Sequence, residues 1–122
     1  MKHVLTLVVI CLMTACIPNK AKEQMNEGLQ LLADWEFKKA IAQIELHKVR
    51  YGSYPNSLSE LKFVSPMDSS MVVYIDYTSY DSMYELNLKK EYFSFEGDIE
   101  RVDLKYPAEF WNGLGCFRSN LK

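Results

Sequence analysis

From Met25 to Tyr51 the apolar residues Met25, Leu29, Leu32, Phe37, Ile41, Ile44 and Tyr51 stand mostly three or four apart, with Ala33 and Ala40 beside them. That spacing lays one stripe along a 3.6-residue helix, so it predicts a single amphipathic helix from Ala21 to about Arg50. Gly28 weakens such a helix by about 1 kcal/mol relative to Ala. Should the helix break there, Asp34 is placed to cap a fresh start before Trp35. Lys38, Lys39, Glu45, Lys48 and Arg50 fall mostly on the solvated outer side.

The end of this helix is marked as clearly as its face. Gly52 stands where a left-handed helix stop favours glycine. Tyr54-Pro55 then forces an extended step and leaves a cis bond open. Ser57-Leu58-Ser59-Glu60 reads as a capping box opening a short second helix from Leu58 to about Phe63, whose Leu58, Leu61 and Phe63 fold it back on the first.

After Ser65-Pro66 the period changes to alternation. Val73, Ile75 and Tyr77 oppose Tyr74 and Asp76; beyond a loop at 78–82, Tyr84, Leu86 and Leu88 alternate with Glu85, Asn87 and Lys89. Phe93 and Phe95 predict a third strand, and Gly97-Asp98 a tight turn into Val102, Leu104 and Tyr106. The expectation is an α+β fold: a long N-terminal helix packed on a small antiparallel sheet of three to four strands. The tail, with Phe110, Trp111, Leu114 and Phe117, is read as an irregular cover over the sheet edge. Tyr74, Tyr77, Tyr80, Tyr84 and Tyr92 are ascribed to strand preference rather than to a binding platform.

With 122 residues, one core is all the chain supports. The formal charge of -2 becomes -3 once Lys2 leaves with the leader, so no basic field is expected to invite nucleic acid or anionic lipid. That leader is Met1-Lys2-His3 followed by the apolar run Val4 to Met13, too short for the ~20 residues of a membrane span but fitting a secretory signal. The tetrapeptide Met13-Thr14-Ala15-Cys16 resembles the lipobox of bacterial lipoproteins, Met13 replacing the usual Leu. The resemblance implies that residues 1–15 are removed, that Cys16 carries diacylglycerol with a second acylation at its amine, and that 16–20 form a lipidated tether to one domain at 21–122. Two or three chains hold where one, at about 0.8 kcal/mol per methylene, is marginal. Ile17, not being Asp, points to the outer membrane facing the periplasm in a host with two membranes.

Ala40-Ile41, Ile44, Gly52, Tyr54-Pro55, Leu58 and Leu61 resemble the soluble part of type II secretion pseudopilins and related pilin-like proteins, whose helix ends in the pattern A-I-x-x-I-x-x-(Y/H)-x-x-x-x-G-x-Y-P-x-x-L-x-x-L. The resemblance implies a pilin-like domain, its helix covered by an antiparallel sheet. Those families begin with a prepilin cleavage site and a long apolar helix, which this chain replaces with a short leader and Cys16. They also carry an Asp- and Gly-rich calcium loop; Glu96, Asp98 and Asp103 do not form so dense an oxygen cluster, and no metal is expected.

No Gly-rich phosphate loop, G-x-S-x-G, C-x-x-C or H-E-x-x-H occurs. Removal of the leader and lipidation of Cys16 leave Cys116 without an internal disulfide partner, so it is either buried, the commoner fate of a free Cys, or paired with another chain. The sequence therefore reads as a lipid-anchored, non-enzymatic envelope protein without cofactor or small-molecule substrate, bound to the membrane through Cys16 and to a protein partner. Two other readings stand beside it: an accessory subunit of a secretion or pilus-like machine, and a small hydrolase using Cys116 and His47.

Overall fold

The computed structural model describes residues 19–63, 65–66, 70–93 and 102–122. Its first element, α1, is one helix over Asn19–Tyr51. It runs through Gly28 without a break, and Asp34 does not cap; its carboxylate instead accepts from Lys38 and Tyr106. The helix ends as its sequence requires. Gly52 takes φ 79, its N–H donates to the Lys48 carbonyl at 2.8 Å, and the Lys48 ammonium reaches the Gly52 carbonyl at 2.7 Å.

The face turned to the core is Ala33, Glu36, Phe37, Ala40, Ile41 and Ile44. This corrects part of the expected stripe, since Met25, Leu32 and Tyr51 are exposed. Leu32 and Ala33 lie 100° apart on the helix, so only one of them can face the sheet, and the small residue does so. Ala33 and Ala40 let the backbone approach while Phe37 and Ile44 fill the space between.

The second helix is shorter than expected: a single 3-10 turn at Leu58–Glu60. Ser57 is extended and makes no capping bond; its hydroxyl lies 2.6 Å from that of Ser59. Glu60 does reach back, but to the Asn56 N–H at 2.9 Å. The predicted inward turn holds, with Leu61 buried and Leu58 and Phe63 packed on the core. Tyr54-Pro55 is trans, as are all described peptide bonds.

Strand β1 is Ile75–Ser79 and β2 is Tyr84–Leu88, paired antiparallel from Ile75↔Leu88 to Ser79↔Tyr84. Tyr84, Leu86 and Leu88 are all buried, as their alternation predicts. Upstream, a 3-10 turn at Ser70–Tyr74 breaks the alternation, so Val73 faces solvent and Tyr74 packs inward against Phe93. Phe93 is buried but belongs to a 3-10 turn at Lys90–Phe93, not to a strand. Phe95 and the Gly97-Asp98 turn lie outside the described residues. Val102 to Tyr106 runs without regular structure, joined to the tail by the Tyr106 N–H donating to the Leu121 carbonyl at 2.9 Å.

The third strand comes from the tail. β3, Cys116–Arg118, lies beside β2 in the order β1-β2-β3 and runs parallel to it. Among the described residues the sheet is thus mixed and three-stranded, not purely antiparallel, and the tail is part of it rather than only a cover. The α+β architecture, one long helix against a small sheet, is as the sequence predicts.

Candidate functional site

The far end of α1 is tied to the sheet by one carboxylate. Glu45, assigned from the sequence to the solvated side, turns inward: Oε1 accepts from the Tyr84 hydroxyl at 2.7 Å and the Gly115 N–H at 2.8 Å, and Oε2 from the Tyr54 hydroxyl at 3.2 Å. It thereby joins the helix, the elbow after Gly52, β2 and the start of β3. Burial first, and then the neighbouring carboxylate, push the Tyr84 and Tyr54 hydroxyls up, so both stay protonated as donors. A second carboxylate pin sits near mid-helix, where Tyr106 donates to Asp34 at 2.9 Å.

These ties fix the tip of the β1–β2 hairpin beside β3. The tip turns over residues 80–83, closed by the Tyr80 N–H donating to the Met83 carbonyl at 2.8 Å. Tyr80 meets Phe117 of β3 edge-on with ring centroids 5.1 Å apart, and the Arg118 guanidinium stands 5.5 Å from the Phe117 ring. Tyr80, Met83 and Phe117 are all exposed. The strand behind them is well supported: the Lys122 ammonium donates to the Cys116 and Phe117 carbonyls, each at 2.8 Å. Tyr, Met, Phe and Arg are among the residue types that interface cores favour. The patch is small, rigidly backed and aromatic, and it is the candidate binding site.

The five tyrosines ascribed to strand preference divide accordingly. Tyr84 is core, Tyr77 donates to the Pro55 carbonyl at 2.6 Å, and Tyr74 meets Tyr92 edge-on and leans on Phe93. Only Tyr80 joins the patch. Sequence reading missed Phe117 as its partner, because a three-residue strand between Gly115 and Ser119 carries too little alternation to be recognised.

His47 and Cys116, the residues of the hydrolase reading, have separate partners. His47 Nδ1 lies 3.0 Å from the Ser53 carbonyl and the ring leans on Tyr51. Cys116 is a free, buried thiol that donates to the Arg118 carbonyl, and burial pushes it up. Cys16 lies outside the described residues, as do Glu96 and Asp98. Among the described residues no three of His, Cys, Asp and Glu gather as a metal site, and no helix is long and apolar enough to cross a membrane. Comparison with protein-family models, with characterised proteins and with solved structures yields no match to this chain.

Proposed function

We propose that the protein is a lipid-anchored, non-enzymatic binding module of the bacterial envelope, held by Cys16 and presenting the Tyr80, Met83, Phe117 and Arg118 patch to another envelope or secretion protein. The observation that carries this is the pairing of an exposed aromatic cluster with a backing built for rigidity. Hydrogen bonds from Tyr84 and Gly115 to Glu45 fix the two strands that display it. Preorganised aromatic anchors bind with little entropy loss. The lipobox-like Met13-Thr14-Ala15-Cys16 supports the anchor, and the short stretch from Cys16 to the start of α1 keeps the domain near the lipid.

Capture of the lipidated protein from solubilised host membranes tests this, with wild type compared against Tyr80→Glu combined with Phe117→Glu. The reading expects a protein partner with wild type only, recovered whether or not the host has a type II secretion machine. A partner seen only when the machine is present favours the accessory-subunit reading, which the long helix covered by a sheet also supports. A partner kept by the double variant removes the patch from the account.

A further inference from the structure

Helix α1 carries a second apolar stripe on the side away from the sheet. Leu31 is 70% exposed, Trp35 60% and Val49 81%, with Leu46 at 36%. At 100° per residue these positions, with exposed Ala42 among them, occupy a sector about 60° wide opposite Phe37 and Ile44, extending roughly 27 Å along the helix. Lys39 and Arg50 border the stripe on one side, and Lys38, paired with Asp34, on the other. The Lys39 ammonium sits 4.8 Å from the Trp35 ring centroid. On the Lys38 side Asp34 pairs with Lys38 at 2.9 Å and accepts from Tyr106, and Glu45 is turned to the core, so the cationic border is the side of Lys39 and Arg50. Glu27 lies a turn before the stripe begins. The net charge of -2 hides this face, because it averages over the whole chain.

We propose that this face of α1 lies on an anionic phospholipid surface. Leu31, Trp35, Leu46 and Val49 enter the acyl boundary, and Lys39 and Arg50 reach up to lipid phosphates. An apolar stripe with a tryptophan and flanking long cations is the pattern of helices that lie in the membrane interface. The inference rests on the anchor reading for its placement, since lipid on Cys16 holds the start of α1, at Asn19, against the membrane. A helix lying flat leaves the sheet, packed on its opposite side, in water.

The test uses the lipidated protein on vesicles of phosphatidylethanolamine and phosphatidylglycerol with brominated acyl chains. Trp35 and Trp111 are the two tryptophans, so the difference between wild type and Trp35→Phe isolates the emission of Trp35. The expected result is loss of Trp35 emission on brominated vesicles, and its recovery in Leu31→Glu combined with Val49→Glu while that protein still floats with the vesicles. Unquenched Trp35 in a floating wild-type protein overturns the inference and leaves the anchor standing. Trp35 shielded from both bromine and aqueous acrylamide also overturns it, since a second protein surface then covers the face. Quenched Trp35 in a floating protein whose Cys16 proves unmodified upholds the face and removes the anchor.

Discussion

Glu45 and Tyr84, 39 residues apart in the chain, meet through a 2.7 Å hydrogen bond that joins the last third of the helix to the first residue of β2. The same oxygen takes the Gly115 N–H just before β3, so one carboxylate ties the helix to β2 and to the entry of β3. Glu45→Ala removes the acceptor of three donors, one of them the hydroxyl of the fully buried Tyr84. We expect it to cost about 3 kcal/mol, and Glu45→Gln less, as read by urea unfolding with unchanged helix content in the native baseline.

Gly115 stands where a side chain has no room. A Cβ there would overlap the Tyr54 ring and hydroxyl, which Glu45 and the edge-on Tyr84 ring hold in place. Gly115→Ala is expected to lose about 1–3 kcal/mol through this overlap. Combined with Tyr54→Leu its cost should shrink, a non-additivity that a double-mutant cycle detects.

Asn120 acts as a side-chain substitute for a neighbouring strand. Its amide accepts from the Leu88 N–H at 3.0 Å and donates to the Leu88 carbonyl at 2.7 Å, while its own N–H donates to Asn87 at 2.8 Å. Asn120→Ala should destabilise by about 2 kcal/mol. Amide exchange at Leu88 should quicken more than at Leu86.

Stability should fall in alkali. Burial, with the carboxylates of Glu45 and Asp34 behind it, raises the hydroxyls of Tyr84 and Tyr106 above the ordinary tyrosine value. A raised folded-state value means that the unfolded chain loses those protons first. The stabilising contribution is therefore complete below about pH 10 and declines as pH rises above it. Tyr84→Phe should flatten that alkaline decline, measured as melting temperature against pH.

What the sequence made legible was local. The helix, its Gly52 stop and the β1–β2 hairpin follow from periodicity and turn chemistry within a few residues. Glu45 was not legible, because its place beside Ile44 at the border of the buried stripe suits solvent as well as core, and its donors lie 9, 39 and 70 residues away. β3 escaped for a similar reason: its pairing with β2 is parallel and long-range, and only Cys116 of its three residues is buried. Phe117 entered the candidate site through that pairing alone.

The anchor on Cys16 is the central functional claim, because it places the protein in the envelope, and mass spectrometry of the mature N-terminus tests it most directly. The account predicts a chain beginning at Cys16, with diacylglycerol in thioether linkage to its sulfur and an acylated amine. An unmodified N-terminus at any other residue would contradict it.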